Sequence, residues 1–389
     1  MEDIKLFEDE EKEVKIVNHD IFKKPTKTFV ITFKKKRKII STLEGFKEVN
    51  IVGNNYVPKD LWEMRYSDWQ NYKKEIIKSL GYKEKEASLL YTGVDIENFG
   101  LCEEKFGDYK IVCYATAGVK SNALRIGFDK GRFYEKEGDF FEIGTINIII
   151  LTDTFLTEGA LINSIIQITE AKTSLLQDLD IRSSYKPFEN QATGTGTDNI
   201  IFVNGENGKI TYTGGHSKFG EIIGKVVYKA VKEGIKKQNN IFAGRDIIDR
   251  LKERGITKEE IVKTAVEMYI YDGKFGDKNK FKKVFEEEFD KILKDVNISS
   301  LIIAGLKLEE EAQKGNIPNL KYYKDDPVYL ISDEILGMQI SQYIGGTLAI
   351  FEFERIDRKK PGILKKLPPF IDDIIGGIIS GITTRMFSK

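Results

Sequence analysis

Two segments in the last quarter of this sequence set adjacent acids inside apolar runs. Val328–Met338 carries Asp333 and Glu334 ahead of Ile335 and Leu336, and Phe370–Ile379 carries Asp372 and Asp373 between isoleucines. An unpaired carboxylate costs several kcal/mol to bury, so four of them need a partner. A divalent cation with oxygen ligands satisfies all four at once. Between the two segments lies Asp357-Arg358-Lys359-Lys360-Pro361, a fifth acid beside cations suited to phosphate, Lys360 foremost. The pattern fits metal-assisted phosphoester hydrolysis, with Asp333, Glu334, Asp357, Asp372 and Asp373 as candidate ligands. Asp372 and Asp373 follow Pro368-Pro369 in a first helical turn, where the helix dipole alone favours acids. Asp333 and Glu334 are expected about two turns into a helix that starts at Pro327, beyond the reach of that explanation. Gly337 would share a helix face with Asp333 and leave room beside its carboxylate.

The first half of the chain places small and hydroxylated residues at predicted strand ends. Thr116-Ala117-Gly118-Val119-Lys120-Ser121-Asn122 follows one strand and Asp153 ends another. Ala192-Thr193-Gly194-Thr195-Gly196-Thr197-Asp198 and Tyr212-Thr213-Gly214-Gly215-His216-Ser217-Lys218 complete the set. Glycines let backbone N–H groups approach a ligand, and threonines offer donors or a nucleophile. His216, just before a helix, has the chemistry of a general base. The Thr/Gly run has neither the Walker ending nor the GxGxxG spacing. Alone it reads as a loop, and His216 as a surface residue. Together the clusters describe a hydrolase or transferase with a loop-built site. On a helix expected over 157–179, Asn163, Gln167, Glu170, Ser174 and Gln177 form a polar stripe, either a solvated face or a cleft wall.

The elements that must hold these residues fall into two sets. Strands are expected at 28–33, 39–43, 87–92, 109–116, 145–152, 199–203 and 209–213, with Lys34–Lys38 as a turn. Helices are expected at 68–80, 157–179 and 219–236. Lys236-Lys237-Gln238-Asn239-Asn240 lacks an apolar anchor and is read as a boundary. Beyond it the pattern turns helical, at 246–254, 257–269, 278–296, 298–314, 327–343 and 369–386. The fold class is thus two domains: a mixed α/β domain over 1–238 and a mainly α-helical domain over 239–389.

The 389 residues carry 61 Lys+Arg against 61 Asp+Glu, which argues against a nucleic-acid binder that relies on global charge. The abundance of Lys, Glu and Ile resembles heat-adapted surfaces. Cys102 and Cys113 form no CxxC pair, which suits a reduced interior, and only two histidines accompany them, too few for a typical zinc site. No apolar run approaches the roughly 18 residues that span a bilayer. A cytoplasmic protein without stable membrane insertion is expected, and a homo-oligomer is left open.

The N-terminal motifs resemble the adenosylcobinamide amidohydrolase family over about 20–236. The carrying residues are Thr116–Val119 with Ser121-Asn122, Gly144-Thr145-Ile146-Asn147, Thr169-Glu170-Ala171-Lys172-Thr173, Ala192–Asp198 and Tyr212–Lys218. The resemblance implies hydrolysis of the amide that joins the corrin propionate to aminopropanol. Such a reaction needs a nucleophile, an oxyanion donor and an acid for the leaving amine. Candidates are His216 or Asp198 as base, Thr195 or Thr197 as nucleophile or donor, and Glu170 as acid. Thr116, Ser121, Asn122, Asp153 and Asn163 are expected to bind substrate, with no cofactor. Over about 245–389 the chain resembles the phosphatidylglycerophosphatase A family in its soluble branch, an alpha-ribazole phosphatase. Asp326-Pro327-Val328-Tyr329, Asp333–Gly337, Phe351-Glu352-Phe353, Asp357 with Lys360-Pro361-Gly362, and Asp372-Asp373 with Gly376-Gly377 carry it. That resemblance implies magnesium and a phosphate-ester substrate. Glu354 stands where the lipid branch has Arg, which argues against a lipid. The alternative is a non-catalytic corrinoid-binding module fused to a lipid phosphatase.

Overall fold

The computed structural model describes residues 3–62, 66–131 and 145–388; Gly144 of the motif above lies outside them. The chain divides into two compact units, Met1–Tyr185 with Gln191–Ala243, and Lys186–Asn190 with Gly244–Lys389. The division follows Ala243, past the polar stretch read as a boundary. A helix runs through that stretch to Asn239, which is buried and accepts a hydrogen bond from the Val119 N–H.

In the first unit β1 (Ile4–Glu8), β2 (Lys12–Ile21), β3 (Lys24–Ser41) and β4 (Gly45–Tyr56) form an antiparallel run. Helix α1 (Tyr66–Ser79) leads to β5 (Ala87–Thr92), which pairs in parallel with β4. Then come β6 (Gly100–Phe106), β7 (Tyr109–Ala117), β8 (Ala123–Leu124), β9 (Ile146–Thr152) and β10 (Thr154–Leu156). Helix α2 (Glu158–Asp178) precedes β11 (Gly194–Thr195), β12 (Asn199–Val203), β13 (Asn207–Ile210) and α3 (Lys218–Asn239). The main sheet runs β1-β2-β3-β12-β9-β7-β6, with β4 and β5 branching from β3. Two strands are buried on both faces, β9 within the main path and β5 at the end of the branch: every residue of each is inside. Helices α2 and α3 cover β7, β9 and β12 through Leu161, Ile168, Leu175, Val227 and Val231, and α1 covers β4 and β5 through Trp69, Tyr72 and Ile76.

Lys34–Lys38 is not a turn. The strand continues through it, and β3 advances from Thr32 to Arg37 while β4 moves only from Ile51 to Val49. A bulge absorbs the extra residues and leaves Lys34, Lys35 and Lys36 in solvent.

The second unit is helical: α4 (Ile247–Lys252), α5 (Lys258–Met268), α6 (Lys278–Ile292), α7 (Val296–Gln313), α8 (Ser332–Gly345), α9 (Leu348–Lys359) and α10 (Pro369–Ser388). Its core is built around α10, whose residues from Pro369 to Ile382 are all buried. Helix α8 begins at Ser332, not at Pro327. Asp326 adopts a left-handed conformation (φ 49°), and the chain from Pro327 makes a turn closed by Leu330 N–H to the Pro327 carbonyl. Asp333 and Glu334 therefore sit in the first turn of α8, as Asp372 sits in that of α10.

Helices α8 and α10 run parallel at very close range. A Cβ on Gly377 would lie 2.3 Å from the Gly337 carbonyl oxygen, and one on Gly345 would lie 2.6 Å from that of Gly381. Between those crossings the Ser341 and Ser380 hydroxyls bond at 2.7 Å. The row Gly337–Ser341–Gly345 thus meets Gly377–Ser380–Gly381 in register.

Candidate functional sites

One turn before each glycine row stands an acid: Asp333 ahead of Gly337 and Asp373 ahead of Gly377. The parallel register brings both carboxylates together at paired helix N-termini. A carboxylate oxygen from each of Asp333, Glu334 and Asp373 lies within 4.8 Å of the others. Asp333 is 0% exposed and Asp373 3%. Gly337 does leave room, but for the ring of Phe353 and the Asp373 carbonyl, which a Cβ would meet at 2.5 and 2.7 Å.

The first-turn position means that helix dipoles favour these acids after all. The dipole does not complete their bonding. Asp333 Oδ2, Glu334 Oε2, Asp372 Oδ1 and Asp373 Oδ1 are buried without a hydrogen-bond partner among the described residues. Burial, then the neighbouring Glu334, holds Asp333 well above the ordinary carboxylate range; burial, then Asp372, does the same to Asp373. Lys360 Nζ lies 2.5 Å from Asp372, 2.7 Å from Asp357 and 3.9 Å from Asp373. Burial still wins at Asp372, which is pushed up to about 7 against the pull of Lys360. Lys360 itself is raised, because its acid neighbours outweigh its own desolvation. Its partners here are thus carboxylates. Beside the cluster, Tyr323 donates to the buried Glu309 at 2.5 Å, and its oxygen accepts from the Phe370 N–H at the start of α10. Arg355 is bonded to Glu352 and to the Met268 carbonyl.

This donor set fits a hard divalent cation: all oxygen, anionic, buried, with one unbonded oxygen on each acid. No histidine or cysteine belongs to it.

In the first unit the structure gathers part of the expected set. Asp198 accepts from the Thr195 N–H at 3.0 Å and from the Thr195 hydroxyl at 2.5 Å, and pairs with the buried Lys172 of α2. Gly194 faces the pair closely: a Cβ would lie 2.6 Å from Asp198 Oδ2 and 2.9 Å from Lys172 Nζ, so both side-chain ends would have to shift. Next to it the Thr145 and Thr197 hydroxyls bond at 3.0 Å, and Asn122 Nδ2 donates to both. Thr116 belongs to an adjoining buried network. It accepts from Asn54, whose Oδ1 accepts from Asn147, which also donates to the Tyr91 carbonyl. Asn147 Oδ1 has no partner among the described residues.

Other expected residues stand apart. Glu170 and Ser121 are exposed. Glu170 lies roughly 200° around α2 from Lys172, so it cannot share that cluster. His216 is exposed ahead of α3, where Ser217 supplies the N-cap. Asp153 follows the C-terminal end of β9, opposite Asn147, and its carbonyl accepts from Glu206 and Asn207. Asn163 accepts from the Thr213 hydroxyl, about two and a half turns along α2 from Lys172. Lys172, Thr145, Asn54 and Asn147 were not among the sequence candidates. Lys172 was legible in principle as a cation on the apolar face of α2.

The adenosylcobinamide amidohydrolase family model matches residues 11–243, and the phosphatidylglycerophosphatase A model matches 289–388. The chain belongs to the adenosylcobinamide amidohydrolase family, and its C-terminal part is similar to phosphatidylglycerophosphatase A. An uncharacterized Methanocaldococcus jannaschii protein, MJ1613, is 43% identical over 227 residues, 56% of this chain and 88% of its own length. A second from the same organism, MJ1330, is 36% identical over 124 residues, 31% of this chain and 96% of its own. The crystal structure of the PH0078 protein from Pyrococcus horikoshii OT3 covers 58% of this chain and 84% of its own at 11% identity, with a TM-score of 0.30, too slight a likeness to argue from. The amidohydrolase-family region includes the Asp198 and Asn147 clusters, and the phosphatase-family region includes every acid of the C-terminal site. Among the described residues no helix is long and apolar enough to cross a membrane.

Proposed function

We propose that the chain is a bifunctional corrinoid-salvage hydrolase. The N-terminal unit would cleave the aminopropanol amide of adenosylcobinamide to give adenosylcobyric acid. The C-terminal unit would remove phosphate from alpha-ribazole phosphate, or from the corresponding cobamide phosphate, with magnesium. The observation that carries the second activity is the set of buried acid oxygens left unbonded at the crossing of α8 and α10. Asp333, Glu334 and Asp373 would hold the ion, with Asp372 and Asp357 beside it. A bound divalent ion supplies charge neutralisation at the phosphate and a more acidic water. Lys360, already between Asp357 and Asp372, stays close enough to trade a carboxylate for a phosphate oxygen.

For the amidase, Thr195 is the nucleophile this reading favours, because its hydroxyl donates to a carboxylate that Lys172 holds in place. The Thr195 oxygen would bond to the amide carbon as its proton passes to Asp198. Asp198 would then return a proton to the departing amine, and water would hydrolyse the resulting ester. Asn122 and the Thr145–Thr197 hydroxyl pair are the nearby donors suited to the oxyanion. The test is incubation with adenosylcobinamide and, separately, alpha-ribazole phosphate, with mass spectrometry of the corrinoid and a phosphate-release assay. Absence of cobyric acid would end the amidase assignment. Phosphate release undiminished by a chelator would end the metal assignment.

A further inference from the structure

We infer that a cavity of about 540 Å³ in the N-terminal unit is the recognition pocket for the amide-fringed edge of the corrinoid. This deepens the amidase reading and rests on it. The pocket lies where the end of β2, the start of β3 and the end of β4 meet, with Asn18, His19, Asp20, Tyr56, Asp95 and Gln238 in its wall. Its volume is that of an ordinary small-ligand site.

The wall selects by charge. Lys27 also lines it, but its ammonium is paired with Glu97. Asp20 and Asp95 make the lining acceptor-rich, which disfavours a phosphate ester and suits a cationic ligand bearing N–H donors. A corrinoid is a flat macrocycle with a cobalt-centred positive charge and a rim of carboxamides, and Tyr56 offers it an aromatic surface. His19 is not a free base. Ser79 donates its one hydroxyl hydrogen to the Ile76 carbonyl, so it accepts from His19 Nδ1; Nε2 then accepts from Thr28. Burial keeps this imidazole neutral, its pKa below the usual value. The histidine is fixed as wall, not as catalyst.

The pocket adjoins the Thr197 cluster. Gly93, in the wall, precedes Val94, whose side chain would meet a Cβ on Gly118 at 2.8 Å; the Thr145 methyl lies 3.3 Å from the same point. Gln238 precedes Asn239, which holds the Val119 N–H. The loop Gly118–Asn122 therefore links the pocket to Thr145 and Thr197, so a macrocycle gripped at one edge can present a neighbouring side-chain amide to Thr195.

The test uses the full chain and the absorbance of the corrin. Asp20→Lys reverses an exposed charge, and Asn18→Trp fills the cavity. Each is titrated with adenosylcobinamide and with aquacyanocobinamide, which keeps a net positive charge and lacks the nucleoside. Both variants are expected to raise Kd and KM at least about tenfold for both corrinoids, with kcat nearly unchanged. A folded Asp20→Lys protein that binds like wild type overturns the pocket assignment and leaves the amidase reading standing. A wild-type protein that binds neither corrinoid overturns both.

Discussion

At the scale of single residues, the acids of α8 and α10 are the sharpest case. Asp333→Asn and Asp373→Asn keep side-chain size and remove charge. Each is expected to abolish metal-dependent phosphate release. In chelator-treated protein each should melt at the wild-type temperature or higher, because one of several repelling, desolvated charges is gone. Wild-type activity in either variant would return that acid to the helix dipole. The pH dependence of the chelated protein has a defined sign. Asp372 titrates near 7 in the folded protein, mainly through burial, and near 4 when unfolded. The folded state therefore holds the proton more tightly, so its contribution to stability is full below about pH 4 and is lost as pH rises to about 7. The melting temperature without metal should fall between about pH 4 and about pH 7. Asp372→Asn should flatten that fall, and magnesium should reduce it by binding the folded carboxylates. An equal slope in wild type and variant would mean that Asp372 is not the group titrating.

At the scale of elements, the glycine rows set the geometry of the proposed metal site. Gly377→Ala places a methyl 2.3 Å from a backbone carbonyl, which no side-chain rotation relieves. The expected cost is roughly 1–3 kcal/mol of stability from overpacking, together with weaker magnesium binding as Asp373 moves away from Asp333. Gly224 on α3 has open space at its Cβ position and is the matched control. Calorimetry of magnesium binding to both variants checks this; equal affinity would sever the link between helix crossing and site. The same elements show what the sequence makes legible. The strands at 87–92 and 199–203 are recognisable from their apolar runs and match β5 and β12. The start of α8 is not, because Asp326-Pro327 has the chemistry of a helix entry while its backbone makes a left-handed turn. The acid pairs stand out because charge inside an apolar run is rare. Asn54 and Asn147 do not, since an asparagine in a strand carries no signal of its own and its meaning comes from a partner 93 residues away.

At the scale of the whole molecule, the two candidate chemistries draw on different atoms. Each unit has its own apolar core, one centred on the sheet under α2 and α3 and one on α10. Among the described residues the acid group able to hold a metal is in the second unit. In the proposed mechanism the Thr195–Asp198–Lys172 arrangement in the first would activate a hydroxyl through a fixed carboxylate, without an ion. The activities of one intact chain should therefore separate cleanly. A chelator should stop phosphate release and leave aminopropanol release within about twofold. Asp333→Asn should reproduce that pattern with magnesium present. Asp198→Asn should do the reverse, lowering amide hydrolysis by ~10²–10⁴-fold, the usual contribution of general acid–base catalysis, while phosphate release is unchanged. Lys172→Met tests the same arrangement from its other side: without the ammonium, the half-buried Asp198 keeps its Thr195 bonds but loses its counter-charge, so both stability and amidase rate should fall. If the chelator stopped both reactions, the hydroxyl mechanism would give way to a metal-dependent amidase, and the ligands of that ion would have to be sought in the first unit.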